Sequence, residues 1–509
     1  MSVPPTAPCR LHSVYVNGAP FPPPPLSSQT PGAPAPAPPS PPLRTTDAHL
    51  LSLLQRSKAS SPTNTIGSLL EASAGLVQRL QATGCYEQAV AELQPVELKD
   101  KTTARGQARL DLRLKERNWY RLHVGGGFKG GGAEAASPFG SSSSSSASSS
   151  LFSGASVPTV QFESSATFFN LTGTCSKTGF EYAVDQAGTP SLAAFHSLPD
   201  VSTTETPTSL TLNAFTDHAK RPSQRFDTSS STLQARVRHG AQSVVEQGPY
   251  TELTAFLASR DTLPHMSPKV PFGALSSPET ISSLGPSVST GLTATVSTNG
   301  AFLDRPFVPT LGADASSTLT LAGPPGSEGH LKSTSAVSLH APLSLLAPAP
   351  LLPPPLRSLL SSLSLHANAS LGLLQPLSFA GLCSGAAHPA DRFPPNAGLK
   401  GFTNIGPRAA KGDYLGGTLS AAGCLSLSAP FPGKDVSARA LAFVSAGSLS
   451  DLADLSASSL PVQRVSAGVG IAVPTPVGRA EITFSRPLRK GEGDATQWMQ
   501  LGLSLNVGG

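Results

Sequence analysis

Charged side chains are scarce in this chain: 13% of its 509 residues are Asp, Glu, Lys or Arg, against roughly 25% in soluble domains. Apolar residues are modest too, at 39%, so the charged shell and dense apolar core of a large soluble fold are both missing. No apolar run reaches the roughly 18–20 residues that a membrane helix needs. The nearest stretch, Leu339–Leu374, is broken by Pro342, Pro348, Pro350 and Pro353–Pro355. The first thirty residues hold proline where a secretory signal would need an apolar segment.

Five cysteines (Cys9, Cys85, Cys175, Cys383 and Cys424) form no Cys-x-x-Cys pair, which argues against a zinc site or a disulfide framework. The eleven histidines lack metal-ligand spacing. A net charge of +5 is spread thinly, and two Trp and six Tyr are too few to interleave with a basic patch, so no nucleic-acid partner is indicated. Gly125–Gly132 lacks the Gly-Lys-Ser/Thr of a phosphate loop. No arrangement points to catalysis, a cofactor or a metal, and the chain does not read as an enzyme.

Ser, Thr, Gly and Pro are plentiful instead, with 47 Gly and 50 Pro. Such a composition suits a disordered, low-complexity scaffold. It also suits a β-barrel whose strands alternate a lipid face with a lumen face. If the chain crosses a membrane it must do so with strands, since only helices and barrels satisfy the backbone in lipid.

Residues 1–118 read as a small α/β domain. Leu11–Val16 is a strand ending at the Asn17-Gly18 turn, and a Pro-rich insertion follows over 20–43. Thr46 or Asp47 caps a short helix through Leu50, Leu51 and Leu54. Ile66, Leu69, Leu70, Ala74, Val77 and Leu80 give a second, ended by Gly84. Tyr86–Val96 reads as a strand, and Ala108, Leu110, Leu112 and Leu114 alternate with charged residues in another.

From 119 to 509 the helical period disappears. Fifteen strand-like runs follow, from Trp119–Gly127 to Met499–Val507. There is room for one more in the stretch between Gly130 and Ser150, inside a low-complexity loop insertion over 130–156. The fold expected is mainly β: a transmembrane antiparallel β-barrel of about 16 strands behind one small α/β domain. Asn170-Leu-Thr172 is a formal glycosylation sequon, here placed on a strand and read as coincidence.

One stretch is specific. Asp391-Arg-Phe-Pro-Pro-Asn-Ala-Gly-Leu-Lys-Gly-Phe402 is followed by Asn404-Ile-Gly-Pro-Arg408 and Gly412-Asp-Tyr-Leu-Gly-Gly417. It resembles the loop-and-strand signature of the bacterial-surface-antigen superfamily, barrels that carry polypeptide-transport-associated (POTRA) domains. Ile405-Gly406-Pro407 with Asp413-Tyr414-Leu415-Gly416-Gly417 is similar to the mitochondrial sorting-and-assembly-machinery barrel family. A single α/β unit before the barrel fits that member, although the Pro-rich insertion is foreign to the pattern.

The resemblance implies a loop folded into the lumen with Leu399, Lys400, Gly401 and Phe402 at its tip. Lys400 stands where the family has Arg, and lysine lacks the planar two-pronged contact. The family's acidic or amide position is filled by Ser445, so Ser445 and Glu481 are the candidate partners of Lys400. At the C-terminus, Gln500, Gly502, Leu505 and Val507 fit the polar-x-Gly-x-x-hydrophobic-x-hydrophobic signal of mitochondrial barrels.

The function implied is insertion of other β-barrels into the mitochondrial outer membrane through a seam between first and last strands. The α/β domain would then sit in the intermembrane space. The partners implied are unfolded barrel clients, peripheral subunits of the machinery and membrane lipid. A passive pore or secretion barrel of the same superfamily, and the disordered scaffold, remain open as alternatives.

Overall fold

The computed structural model describes residues 9–22, 43–57, 65–95, 107–129, 159–185, 189–201, 206–241, 248–265, 276–305, 308–346, 360, 362–395, 398–409, 411–431, 438–454, 463–475 and 478–505. Most of the Pro-rich insertion, the low-complexity stretch with its Ser141–Ser150 run, and Val507 lie outside these residues. The chain divides into two compact units. One is Met1–His123 with Ser165–Glu181 and Ala194–Leu212; the other is Val124–Ser164, Tyr182–Ala193 and Asn213–Gly509.

The first unit holds β1 (Arg10–Val16), β2 (Ala19–Phe21), α1 (Asp47–Arg56), α2 (Ile66–Ala82), β3 (Tyr86–Pro95) and β4 (Gln107–Glu116). The sheet order is β2-β1-β4-β3, with β1 parallel to β4 and the other pairs antiparallel. β4 buries Ala108, Leu110, Leu112 and Leu114, every second residue, as a one-sided strand should. Leu53, Leu76 and Leu80 from the helices cover that face. α2 departs from the periodicity read above. Its inward stripe is Leu69, Ser73, Leu76 and Leu80, while Leu70 is 52% exposed and Ala74 also faces out. The short β2, hidden between the Asn17-Gly18 turn and the prolines, adds a strand that the sequence reading lacks.

Glu116, at the end of β4, collects five donors. They are the backbone N–H groups of Thr45 and Arg44 (both 2.9 Å), the Arg44 guanidinium (3.0 Å), the Thr45 hydroxyl (2.6 Å) and the Asn170 amide (3.2 Å). Burial pushes this carboxyl up, but the bonds from Thr45 and Arg44 outweigh it and hold it below its ordinary value. Asn170 is therefore not on a strand. It turns the chain at φ 56° and accepts the Cys175 N–H at 2.8 Å. Its side chain, buried and engaged, makes a structural corner, while Leu171 and Thr172 of the sequon are exposed.

The remaining strands are β5 (Tyr120–Lys129), β6 (Thr159–Phe169), β7 (Lys177–Asp185), β8 (Pro190–Leu198), β9 (Thr208–Arg221), β10 (Phe226–Gly240), β11 (Tyr250–Pro264) and β12 (Gly285–Ser297). Next come β13 (Phe302–Leu303), β14 (Gly312–Gly323), β15 (His330–Pro342), β16 (Ser364–Pro376), β17 (Phe402–Asn404), β18 (Leu419–Pro430) and β19 (Arg439–Ser450). The last four are β20 (Arg464–Thr475), β21 (Gly478–Arg489), β22 (Ala495–Thr496) and β23 (Met499–Leu505). Two short helices interrupt them, α3 (Pro278–Ser282) and α4 (Leu343–Leu346). Apart from the small β17–β22 pair, these form one antiparallel barrel sheet in which sequence neighbours pair and β23 is followed by β5.

Sixteen long strands and the two-residue β13 make this sheet. The stretch between Gly130 and Ser150 lies outside the described residues, and the sixteenth among them is β8. Ala193 and Ala194 stand side by side there and blur the two-residue period. Several strands also run longer than their apolar core suggested. β10 spans 15 residues because Phe226–Ser231 and Arg238–Gly240, on either side of the alternating run Thr232–Val237, belong to the ladder as well.

The burial pattern is inverted relative to a soluble protein. Along β11, Glu252, Thr254 and Thr262 are buried while Leu253, Leu257 and Leu263 are exposed. β21 likewise buries Thr483 and Ser485 and exposes Ile482 and Phe484. An apolar outer wall around a polar lumen is what a bilayer requires. No helix among the described residues is long and apolar enough to cross a membrane.

Replacing Glu116 by Gln should cost the first unit about 1–3 kcal/mol, because a neutral amide cannot accept from all five donors. With a lowered folded-state pKa, the Glu116 contribution is present above the ordinary glutamate value and fades as pH falls through the folded one. Hydrogen exchange of the β4 amides, titrated from pH 7 to pH 3, should show that acid loss in the wild type and not in the variant. Identical profiles would contradict the role.

Candidate functional site

The connection from β16 to β18, residues 377–418, does not trail away from the barrel. Its residues Ala387, Phe393, Leu399, Phe402 and Ile405 form one apolar cluster with Leu374 of β16 and Leu449 of β19. Leu374 and Leu449 are wall residues, so the loop lies against the inside of the sheet. Burying Leu399, Phe402 and Ile405 to 3%, 3% and 1% exposure contributes about 1.5–3 kcal/mol per side chain.

The tip is bonded to four strands or connections. Lys400 pairs with Glu481 of β21, whose other oxygen accepts from Arg479 at 2.7 Å. The ammonium also lies 4.6 Å from the centroid of the Phe443 ring. The Lys400 carbonyl accepts from the Ser466 hydroxyl of β20. Gly401 donates its N–H to Gln500 Oε1 at 3.0 Å, and Gln500 Nε2 donates to the Phe402 carbonyl at 3.0 Å. The Gln497 N–H reaches the Gly401 carbonyl at 3.0 Å, and Phe402 pairs with Thr496. Gly401 has φ +88°, and a Cβ there would meet Ser466 Cβ and Ser485 Oγ at 3.1 Å, so both its conformation and its crowding call for glycine.

The structure thus brings Lys400 and Glu481 together. Ser445 is buried on β19, opposite Cys424 and Ser466 in the two flanking ladders, and is not the residue that meets the ammonium. On β23, Gln500 stands opposite Thr483, Gly502 opposite Glu481 and Leu505 opposite Gly478.

The rest of the loop is tied to neighbouring hairpins. The Pro407 carbonyl accepts from the Leu415 N–H at 3.0 Å, and Gly406 packs against Leu449. The fully buried Asp413 accepts from the Ser277 N–H and the Thr280 hydroxyl, both at 2.8 Å, and so fixes the start of α3. The Tyr414 hydroxyl donates to the Gly493 carbonyl at 2.7 Å, and the Tyr414 N–H reaches the Ser223 carbonyl at 3.1 Å. Gly416 and Gly417 run close beside Phe393, whose backbone exchanges two bonds with Gly417.

A second charged anchor escaped the sequence reading. Arg260 of β11 grips Asp391 with two contacts, at 2.9 and 3.3 Å, and touches Glu328 at 3.2 Å. Lys332 adds a bond to the Asp391 carbonyl at 2.9 Å. Burial and the adjacent Asp391 carboxylate push Glu328 up to about 7, whereas at Asp391 burial is outweighed by Arg260 and the carboxyl is held well below its ordinary value. Arg260 and Asp391 are 131 residues apart, and no local pattern links them.

Glu328, His388 and Asp391 could each offer one atom to a cation. Most of these atoms are already engaged: Arg260 bonds Glu328 Oε2 and both Asp391 oxygens, and His388 Nδ1 accepts from the Ala390 N–H at 3.1 Å, while the buried Glu328 Oε1 has no hydrogen-bond partner.

Residues 170–506 match the family model of the Omp85 superfamily domain. A SAM50-like protein of Schizosaccharomyces pombe is 31% identical over 224 residues, covering 40% of this chain. The match spans only 42% of that relative's length. Among solved structures, BamA from Haemophilus ducreyi lacking POTRA domains 1–3 aligns with a TM-score of 0.62, covering 97% of this chain and 84% of that one. At 15% identity this is a likeness of fold.

Replacing Arg260 by Met leaves two buried carboxylates without their cation and should loosen the base of the loop by about 3–5 kcal/mol. Glu328 titrates above its ordinary value, so its ionised form is the unfavourable one, present above about pH 7 and relieved as pH falls through that value. Protease cleavage within 377–418 should accordingly be faster than in the wild type at pH 8 and approach it at pH 5. Equal cleavage of the two proteins at pH 8 would contradict the anchor.

Proposed function

The chain belongs to the Omp85 superfamily, and from that premise we propose that it assembles other β-barrel proteins into the mitochondrial outer membrane, through the junction between β23 and β5. The observation that carries this reading is the order of the barrel: β23 is followed by β5, the two ends of the run of barrel strands, so no hairpin ties this pair together. On its other side β23 is held to β21 over seven residue pairs. A pair of strands with no turn between them is the one that can part while every hairpin stays closed.

The chemistry of insertion then follows from the backbone. An unpaired N–H or C=O in hydrocarbon costs several kcal/mol, so a client strand cannot enter lipid with its edge bare. A parted junction offers a ready row of partners, and an incoming strand completes them by addition to the edge. Later strands add to the first until the new barrel leaves. Nothing in this sequence of events makes or breaks a covalent bond.

Mitochondrial placement rests on the resemblance carried by Ile405–Pro407 and Asp413–Gly417, and the likeness to the SAM50-like protein supports it. The two helices on a four-stranded sheet support a POTRA-like role for the N-terminal unit, in the intermembrane space, where clients and peripheral subunits of the machinery would meet it.

The test is a disulfide engineered between β5 and β23 of the full chain, in mitochondria that contain no other copy. Oxidised, the protein should stay folded and in the membrane while assembly of a newly imported porin stops; reductant should restore it. Undiminished porin assembly with the junction locked would overturn the proposal.

A further inference from the structure

Two histidines meet on the inner wall of the barrel. His340 of β15 and His366 of β16 stand directly opposite one another in the ladder. Their Nδ1 atoms are 2.7 Å apart and their rings lie edge to face, with 5.0 Å between centroids. The odd-numbered Val337, Leu339, Leu371 and Leu373 are exposed on the apolar outer wall, so the two-residue period turns the even-numbered His340 and His366 inward. His366 is 8% exposed and His340 is half-buried. The pair lies beside the connection 343–363, at the end of the barrel away from the 377–418 loop. In sequence the two are 26 residues apart, so no local spacing marks them.

At 2.7 Å the two Nδ1 atoms hold one proton between them, one nitrogen donating and the other accepting. Both nitrogens are thereby aimed at a single point. The other nitrogen of His366 is fixed as well. Its Nε2 lies 2.7 Å from the Ser428 hydroxyl, whose oxygen accepts from Arg439 Nε at 2.8 Å. Arg439 is in turn held by the Ser362 carbonyl at 3.0 Å and the Ser364 hydroxyl at 3.1 Å, which keeps its guanidinium off the ring nitrogens. Charges of both signs act on the pair, Arg439 and Arg479 against Asp304 and Asp314. Two cations facing two carboxylates leave little net field to repel a dication.

We propose that His340 and His366 bind a divalent transition-metal ion, the class for which imidazole is a suitable ligand. The ion takes the place of the shared proton. Both Nδ1 lone pairs turn to it, both Nε2 atoms carry hydrogen, and His366 donates its own to the Ser428 oxygen. A bond of this kind to the remaining ring nitrogen is what fixes the tautomer and angle of a ligating imidazole. Metal–nitrogen bonds of about 2.0–2.1 Å set the two nitrogens about 3.3 Å apart, so the rings part by roughly 0.6 Å. Lumen water fills the remaining positions. The bound ion ties β15 to β16 where their connection leaves the ladder.

The test uses the chelator-stripped full chain in lipid nanodiscs, titrated with Zn²⁺ by calorimetry and with Cu²⁺ by electron paramagnetic resonance. One ion should bind per chain, and the copper spectrum should carry coupling to two imidazole nitrogens. His340→Asn and His366→Asn keep a polar group in each place and should each weaken binding about tenfold or more, as should Ser428→Ala, which removes only the bond to Nε2. His12→Ala, on an exposed residue of β1, should bind as the wild type does. If an Asn variant fails to fold, the copper spectrum of the wild type and the affinity of Ser428→Ala decide. No bound ion, a spectrum without two imidazole nitrogens, or binding that survives both Asn variants would overturn the site. Binding lost instead in His388→Ala would place the ion beside Glu328 and Asp391 and would equally overturn it.

Discussion

Hydrocarbon offers a peptide group nothing to bond with, and that constraint organises this molecule. It forces the membrane-crossing part into a ladder, each strand completing the next. The ladder in turn sorts side chains by the two-residue period into an apolar outer wall and a polar inner one. Leu253 and Leu257 facing out while Glu252 and Thr254 face in is that sorting in one strand. The same rule makes the end of the ladder the weak place, because a terminal strand has to meet the first strand rather than a hairpin neighbour.

The inward loop belongs to the same logic. Of the forces that hold it, apolar burial is the largest: Leu399, Phe402 and Ile405 together contribute about 4–9 kcal/mol on the usual scale. The Lys400–Glu481 pair is partly exposed and shared with Arg479, a setting in which an ion pair adds about a kilocalorie or less. Its role is orientation. It fixes which way the tip points, and the backbone bonds to Gln500 and Gln497 then follow. Because those bonds end on β23 and its approach, the loop and the last strand are mechanically one piece.

Much of this was legible in the residues. Alternation marked fifteen of the sixteen long strands, and the cluster from Asp391 to Gly417 marked the loop before any fold was known. β8 was missed because adjacent alanines carry no face. The inward stripe of α2 was misread because Leu70 is as apolar as Leu69, and only the sheet beneath decides which is covered. Asn170 was misplaced because its bonds go to Thr45 and Cys175, and a sequon says nothing about a corner. The Arg260–Asp391 grip could not be read at all: a register of strands, not a local pattern, brings those residues together. Gln500 stood out as a polar position in an alternating strand, but its partners at Gly401 and Phe402 needed the loop to be folded inward first.

The most direct test of a loop tip fused to the last strand is hydrogen exchange on the full chain in nanodiscs, followed residue by residue across 398–407 and 495–505. The amides of Gly401, Ile405 and Gln497 should exchange as slowly as those of the neighbouring ladder, and Gln500→Leu should release Gly401 ahead of the others. Exchange of these amides at the rate of an unstructured loop would contradict the account.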